Sequence, residues 1–354
     1  MIKGRKWLMI GSATGLLLIA ILVIVLKPTV PGFGKKPDQP VSDSLAMIEQ
    51  LTPEIGNLST SIHEDPKNPG LYFARANAYF DYGNLKYALA DFEKAYRIDS
   101  TNPAHVLGFS DCLFFLNNAE GAIAVLEDYR LHDPNDLDVL VTLAVDYYKL
   151  PKPQMQKSID LLNEALKLDI QHADAYFYKG MIYKESGDTA KAISNFQTTV
   201  EVDPDFYDAY MQLGLLYAAK KNSLALQYLN NALALDSTSR EAHYAIAKYY
   251  QDIGKMSTAI NYYKSLITDN PQDADAIYNL ATIYYGIDSV KAAYRYYDLA
   301  IKQSPAKAMC YYGKGLCAEE LKNIKEAISL YTQALNLDPD LVLAEEKLKQ
   351  LNAE

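Results

Sequence analysis

The sequence predicts an all-α fold, a solenoid of eight helix pairs that is capped at both ends and preceded by one transmembrane helix. Three observations predict it: a repeat of about 34 residues between residues 69 and 341, small residues at two fixed places in every repeat, and twenty uncharged residues in one run near the N-terminus. Disorder is excluded, because 49% hydrophobic and 11% aromatic residues can bury a sizeable core.

The first 43 residues are typical of a membrane anchor and its tether. Residues 1–6 form a basic flank, and the uncharged run from Trp7 to Leu26 has the length of a bilayer-spanning helix. Because no cleavage site follows the run, we expect a retained signal-anchor helix. Residues 27–43, rich in Pro and Gly, are expected to form an extended tether.

The charges that flank the run predict its orientation. A slight excess of positive charge before the run favours a single-pass membrane protein with a cytoplasmic N-terminus. The repeats are then expected in the periplasm, and a cytoplasmic repeat domain is the alternative. Gly11 and Gly15 form a small-xxx-small pair through which two such helices could pack. A second copy of the chain, in a homo-oligomer, is therefore one of the partners that the sequence predicts.

The repeat divides residues 69–341 into units at 69–102, 103–136, 137–172, 173–206, 207–239, 240–273, 274–307 and 308–341. The eighth place of each unit is small: Ala76, Ser110, Ala144, Gly180, Gly214, Ala247, Ala281 and Gly315. A second small place follows about twelve residues later: Ala88, Ala122, Ser158, Ala192, Ala225, Ala259, Ala293 and Ala327. Since helices approach closely only where no long side chain intervenes, these columns predict the contact between paired helices.

Large residues lie four places after the second small column: Phe92, Leu126, Leu162, Phe196, Leu229, Tyr263, Tyr297 and Tyr331. This combined pattern resembles the tetratricopeptide repeat. The resemblance implies antiparallel helix pairs in a right-handed superhelix whose first helices line a concave wall. The chain also resembles bacterial envelope assembly proteins, and its 29 tyrosines resemble the composition of Bacteroidetes repeat proteins. The third unit departs from the pattern by an insertion around Pro151 and Pro153.

Both ends of the repeat array are expected to be capped, as a solenoid requires for solubility. Residues 44–68 carry an apolar stripe and are predicted to form an N-terminal capping half-repeat. Residues 342–354 are predicted to form a C-terminal capping helix, in which Ala344, Leu348 and Leu351 face inward.

Charge and residue inventory exclude several functions. The net charge of −10 argues against a nucleic-acid partner, because an acidic body repels phosphates. The five histidines are dispersed without the paired spacing of a metal site, and no phosphate-binding glycine loop is present in the sequence. We therefore expect no metal, no cofactor and no enzymatic activity. Asp174, Asp208 and Asp275 near the starts of first helices are interpreted as capping residues.

The partner-binding prediction rests on a second stripe of the first helices, rotated by one residue from the buried stripe. By the resemblance, this stripe lines the concave groove and is rich in aromatic and methionine side chains, which suit a peptide or a partner helix. The predicted groove residues are Phe73, Asn77, Phe80, Asp111, Phe114, Tyr148, Phe177, Met181, Lys184, Met211, Tyr244, Lys248, Tyr278, Tyr285 and Tyr312.

The sequence therefore predicts a non-catalytic scaffold or assembly factor that is tethered to a membrane and binds an extended peptide or a partner helix. Two alternatives stay open. One is a self-associating structural component of a membrane complex. The other is a cytosol-facing targeting or chaperone receptor, as in mitochondrial import receptors, although the carboxylate clamp of chaperone-binding repeats is not matched because Phe73 stands where that clamp has lysine.

Overall fold

The structure, a computed structural model, describes residues 53–353, which form helices and connecting turns without a strand. The helices between those limits are α1 (Pro53–Glu64), α2 (Pro69–Asp81), α3 (Leu85–Ile98), α4 (Pro103–Phe115), α5 (Ala119–Arg130), α6 (Leu137–Lys149), α7 (Met155–Leu168), α8 (Ala173–Glu185), α9 (Thr189–Val202), α10 (Tyr207–Ala219), α11 (Leu224–Leu235), α12 (Arg240–Asp252), α13 (Met256–Asp269), α14 (Ala274–Gly286), α15 (Val290–Gln303), α16 (Ala308–Glu320), α17 (Ile324–Leu337) and α18 (Val342–Ala353). The predicted all-α helical repeat solenoid is confirmed.

The chain divides into two compact units, Met1–Pro66 and Lys67–Glu354. In the N-terminal one of these two parts, Met1–Pro66, the described helix is α1, in which Ile55 and Ile62 are buried. Residues 44–52 of the predicted N-terminal cap lie outside the described residues, so the cap stays a prediction. All of the repeats belong to the C-terminal part, Lys67–Glu354.

The predicted localisation, a single-pass membrane protein, is contradicted and is not retained. Between Pro53 and Ala353 no helix is long and apolar enough to cross a membrane. The physical reason is length, since these helices have 12 to 14 residues and a bilayer requires about 20. The predicted span at residues 7–26 and the tether at residues 27–43 lie outside the described residues.

Local sequence signals start the first helices of the repeats. Asn68 and Asn102 each accept a hydrogen bond at 3.0 Å from a backbone N–H of the helix that follows, and a proline stands at the first turn of both helices. Asp136 caps α6 in the same way, through a 3.0 Å bond from the backbone N–H of Val139. These caps satisfy backbone donors that have no partner within the helix.

Seven of the turns between paired helices, all but the longer turn of the third repeat, contain one residue with positive φ. Glycine fills this place at Gly83, Gly187 and Gly254 with φ of 75°, 80° and 79°. Four other turns hold a residue with a side chain there: Asn117, Lys221, Asp288 and Lys322, with φ between 52° and 64°. The left-handed conformation is costly for a residue with a Cβ atom, so these four turns are less favourable than the glycine turns.

The two columns of small residues are buried in every repeat, as the sequence predicts. A Cβ atom added to Gly180 would lie 2.6 Å from the Phe196 ring, and one added to Gly214 would lie 2.6 Å from Leu229. The large residues of the predicted column are buried opposite them, with Phe196 and Leu229 fully inaccessible. Close contact between paired helices therefore depends on a small residue that faces a large one.

The insertion in the third repeat lengthens a turn without separating its two helices. The backbone N–H of Gln154 donates to the carbonyl of Tyr147 at 3.0 Å and closes the longer turn. Ser158 donates its hydroxyl to the carbonyl of Ala144 at 2.6 Å, which joins α6 and α7 at their small residues. The buried cluster around these helices includes Leu140 and Leu143.

The last described helix, α18, packs against α17. Ala344 is fully buried, and Leu348 and Leu351 pack half-buried on the same cluster, which contains Tyr331. The residues predicted to face inward therefore lie against the last repeat. The number of tetratricopeptide units and the assignment of the caps stay predictions.

Candidate polypeptide-binding wall

The first helices of successive repeats lie side by side. Direct contacts join α2 to α4, α4 to α6, α6 to α8, α10 to α12, and α14 to α16. Places 2, 5, 9, 12 and 13 of a unit fall on one face of its first helix, since they are spaced by three or four residues. We name this face of α2, α4, α6, α8, α10, α12, α14 and α16 the first-helix wall.

Place 5 forms the base of the wall, where its side chains pack on the second helix of the same repeat. Its rings lie 5.6 to 5.9 Å, centroid to centroid, from the large buried residue of that helix in five pairs: Phe73–Phe92, Phe177–Phe196, Tyr244–Tyr263, Tyr278–Tyr297 and Tyr312–Tyr331. Tyr244, Tyr278 and Tyr312 keep part of their surface exposed. The side chains at place 5 therefore hold the two helices of a repeat together, and three of them also present surface to solvent.

Three predicted groove residues are more buried than the stripe predicts. Tyr148, Phe177 and Met211 are only 8%, 6% and 6% exposed. Phe177 is covered because the Phe206 ring, from the loop before α10, lies 4.9 Å from it. These three side chains offer little surface to a partner, so their expected exposure is corrected.

The other predicted groove residues lie on the wall with accessible surface. Asn77 is exposed, and the rest are half-buried: Phe73, Phe80, Asp111, Phe114, Met181, Lys184, Tyr244, Lys248, Tyr278, Tyr285 and Tyr312. Leu215, at place 9 of α10, was not predicted and is 44% exposed. The wall thus presents apolar surface along several successive helices.

At three interfaces, place 12 of one repeat contacts place 13 of the next, and we name this contact the joint. The Phe80 and Phe115 rings meet at 5.4 Å between α2 and α4. The Tyr148 hydroxyl donates to Glu185 between α6 and α8. The Tyr285 hydroxyl donates to Glu320 at 2.8 Å between α14 and α16, and burial together with this hydrogen bond raises the pKa of Tyr285.

Polar side chains make further joints across the wall. Asn279 donates to the Tyr244 hydroxyl at 2.6 Å, which ties α14 to α12. Lys184 donates to Gln212 at 2.8 Å and ties α8 to α10. Lys248 is paired with Asp252 on its own helix. Two of the predicted groove lysines are therefore already engaged within the chain.

The sequence prediction missed places 2 and 13 of the wall. Acids occupy place 2 in five successive first helices: Asp138, Asp174, Asp208, Glu241 and Asp275. The recurring acid is visible in the sequence. Because acids at a helix start also stabilise the helix dipole, these residues were interpreted as capping residues and not as part of the wall. Place 13 lies one residue beyond the predicted stripe and includes Phe115, which is 50% exposed.

The cysteine thiols and the potential metal ligands of the chain bear on what the wall can do chemically. Burial raises the pKa of Cys112 and Cys317 to about 12 and that of Cys310 to about 11, so these thiols stay protonated at neutral pH. Across residues 53–353, no group of three or more His, Cys, Asp or Glu side chains is arranged to hold a metal ion. Aromatic, aliphatic and charged side chains instead spread over many helices, as on a protein-binding surface.

Comparison with known proteins identifies the repeats. Three tetratricopeptide repeat models match residues 83–143, 161–194 and 179–240. A model described as anaphase-promoting complex, cyclosome, subunit 3, matches residues 254–334. The chain is similar to BBSome complex member BBS4 from Bos taurus, with 28% identity over 173 residues, 49% of this chain and 33% of BBS4. The chain thus spans about a third of the length of this curated relative.

Solved structures share the fold. The C-terminal part of a tetratricopeptide repeat protein from Cytophaga hutchinsonii superposes with a TM-score of 0.56 at 20% identity, over 68% of this chain and 98% of that chain. The Cut9–Hcn1 hetero-tetramer of the anaphase-promoting complex matches 90% of this chain and 61% of that chain, with a TM-score of 0.51 and 20% identity.

Proposed function

We propose that this chain, a tetratricopeptide repeat protein, is a non-catalytic scaffold that binds an extended polypeptide segment or a partner helix on the first-helix wall. The proposal includes eight repeat units over residues 69–341 in a right-handed superhelix, with residues 44–68 and 342–354 as caps. The names of two matches agree with a role in assemblies, because BBS4 is a complex member and the subunit 3 model describes part of a complex.

One observation carries the proposal: apolar side chains remain accessible on helices that lie side by side. Phe115 is 50% exposed and Leu215 is 44% exposed, and Phe114 and Met181 lie half-buried on the same face. Exposed apolar surface of this kind is typical of sites of protein interaction. Phe115 is held in place by its contact with the Phe80 ring, so this part of the surface is formed before a partner arrives.

The test uses the purified full chain and peptides selected on it from a random library. The wall variant Phe114→Ala/Leu215→Ala should weaken the selected peptides about tenfold or more, because it removes two apolar contacts from the wall. The matched control Leu131→Ala/Ile170→Ala removes apolar side chains that are 82% and 72% exposed away from the wall. It should leave the affinity unchanged, and circular dichroism should show equal helicity for both variants.

Two results would contradict the proposal. Peptides that bind the wall variant as tightly as the native chain would move the binding site elsewhere. Loss of binding in the control variant alone would do the same. Light scattering on the same samples shows whether the chain self-associates, and a dimer that the wall variant dissociates would assign the wall to a second copy.

A further inference from the structure

The row of acids at place 2 runs along the first-helix wall. Asp138, Asp174, Asp208, Glu241 and Asp275 are each the second residue of their helix, in five successive first helices. Helix starts favour acids, and that alone would account for each residue separately. A second interpretation follows from cationic side chains of the chain itself, which lie against Asp275 at one end of the row.

At that end, around α14, the chain supplies cations to the wall. The Lys307 ammonium lies 2.8 Å from a carboxylate oxygen of Asp275 and 4.4 Å from the centroid of the Tyr278 ring. Arg240 lies 5.3 Å from the Tyr244 ring centroid and 3.8 Å from Asp275, but its shortest ion pair, at 2.6 Å, is with Asp273, which precedes α14. At Lys307, an acid at place 2 and an aromatic ring at place 5 therefore hold a cationic side chain together, by charge and by cation–π attraction.

In the middle of the row, place 5 is Met211 beside Asp208, and the Tyr244 ring beside Glu241 already faces Arg240, so a cation there would be received by the two acids. Among residues 53–353, no lysine, arginine or histidine forms an ion pair with Asp208 or Glu241. Asp208 is half-buried, and burial together with the charge of Glu241 raises its pKa. The two carboxylates repel each other, so a cation placed between them would relieve both the repulsion and the burial of charge.

Beyond this pair the wall is acidic along its length. It carries eleven acids and three lysines: Asp81, Asp111, Asp138, Asp174, Glu185, Asp208, Glu241, Asp252, Asp275, Glu319 and Glu320 against Lys149, Lys184 and Lys248. Glu185 and Glu320 accept hydrogen bonds from tyrosines. Three of the other acids, Asp252, Asp275 and Glu319, are paired with lysines, and the remainder still outnumber the cations of the wall. Leu215 and Met181 provide apolar surface beside the acids.

We infer that the partner of the wall is a basic segment, one that combines lysine or arginine with apolar side chains and places a cation at Asp208 and Glu241. The inference rests on the proposed function, since it names the chemistry of the polypeptide that the wall receives. Charge complementarity selects this occupant, because the apolar contacts would accept many sequences and the acids would repel an acidic one. A second copy of this chain, which carries a net charge of −10, is disfavoured on the same ground.

The experiment uses three labelled synthetic peptides of one design, in which leucine alternates with lysine, with glutamine or with glutamate. The lysine peptide should bind the full chain about tenfold more tightly than the glutamine peptide and lose affinity as salt screens the charges. The glutamate peptide should not bind. Thermal unfolding of every variant is recorded alongside, so that a loss of affinity is separated from a loss of structure.

Matched variants locate the effect. Asp208→Asn/Glu241→Gln should weaken the lysine peptide about three- to tenfold, since it removes two acids from the wall. The control Glu201→Gln/Asp269→Asn removes two acids that are exposed at the ends of α9 and α13 and have the same summed charge. It should change the affinity less than about twofold, because distant charges are screened.

The outcomes separate this inference from the proposed function. Equal binding of the lysine and glutamine peptides, both weakened by Leu215→Ala, would overturn the basic partner and leave the wall as the binding site. Equal weakening by the wall and control pairs would overturn the inference as unspecific attraction to an acidic protein. A lysine peptide that no wall variant weakens would overturn both.

Discussion

At both ends of the first-helix wall, place 12 of one repeat contacts place 13 of the next, but the contact is apolar at one end and polar at the other. Between α2 and α4 it is the contact of two apolar rings, Phe80 and Phe115, at 5.4 Å. Between α14 and α16 the same two places hold a hydrogen bond from Tyr285 to Glu320 at 2.8 Å. The register of the helices therefore does not depend on the chemistry of the wall.

What the two ends share lies beneath the surface. Place 6 is glycine at both ends, and a Cβ atom there would lie 2.8 Å from the Phe92 ring at Gly108 and 2.4 Å from the Tyr297 ring at Gly313. Both rings belong to the second helix of the preceding repeat. A small residue that faces a large one sets the spacing of successive repeats at both ends. The side chains on the surface of the wall can therefore differ without changing that spacing.

The largest effect should come from filling that shared contact. Gly108→Val and Gly313→Val should each lower the free energy of unfolding by about 1–3 kcal/mol, because the added methyl groups overpack a closed contact. Gly180→Leu, whose Cβ would lie 2.6 Å from Phe196, should cost at least as much. Urea unfolding followed by circular dichroism measures the loss, and hydrogen exchange shows which repeats open.

The matched control for these variants is Gly286→Val. An added Cβ atom at Gly286 meets nothing within 4 Å, so stability should stay within about 0.5 kcal/mol of the native chain. If Gly108→Val were tolerated while Gly313→Val destabilised the chain, the two ends would not share a buried register.

The next effect comes from the joint itself. Tyr148→Phe should cost about 1–2 kcal/mol and Tyr285→Phe less than about 1 kcal/mol, because both remove a donor to a carboxylate but the hydroxyl of Tyr148 is more deeply buried. Tyr148 is 8% exposed, whereas the Tyr285 bond lies at the surface. Thermal unfolding of the two variants and of the native chain compares them directly.

The joint can also be transplanted to the N-terminal end. Phe80→Tyr and Phe115→Glu together recreate the tyrosine–glutamate pair between α2 and α4. A double-mutant cycle should give a favourable coupling between the two changes, since each single variant leaves its new polar group without the intended partner. Strictly additive losses would show that the two joints do not share a geometry.

The repeat architecture could be predicted from the sequence because its determinants are residue sizes at fixed intervals. Gly180 and Gly214 had to be small whatever lay on the surface, and the structure places both against large side chains. The burial of Phe177 could not be predicted, because Phe206 covers it from a loop whose path no periodicity specifies. The acidic row was visible but ambiguous, since Asp208 would serve a helix start equally well.

A third, smaller effect concerns acid stability at two regions. Glu127 accepts hydrogen bonds from Tyr147 at 2.8 Å and is paired with Lys157 at 3.1 Å. Glu319, near the C-terminal end, accepts from Tyr331 at 2.6 Å and from Lys347 at 2.9 Å. Burial alone would raise the pKa of both carboxyls, but these donors outweigh it and hold both pKa values below the ordinary value.

Because the folded pKa lies below the unfolded one, this stabilisation is present above about pH 4.5 and is lost as the pH falls through the folded value. Lys157→Met and Lys347→Met should each flatten the acid limb of the stability curve, measured as the urea midpoint from neutral pH downward. Lys347→Met should in addition raise hydrogen exchange in α18, because Lys347 ties that helix to α16. An acid limb as steep as that of the native chain would contradict the assignment of these pairs.

The smallest effect lies in the turns, where the two ends differ again. The first repeat turns at Gly83 with φ of 75°, and the last turns at Lys322 with φ of 64°. Lys322→Gly should therefore raise the free energy of unfolding by about 0.5–1 kcal/mol, because glycine adopts this conformation without a Cβ penalty. Gly83→Ala should lower it by a similar amount. Lys322→Ala is the control, since it removes the charged side chain but keeps the Cβ atom, and it should leave stability unchanged. A gain for the alanine variant equal to that of the glycine variant would assign the effect to the lysine side chain and not to the backbone.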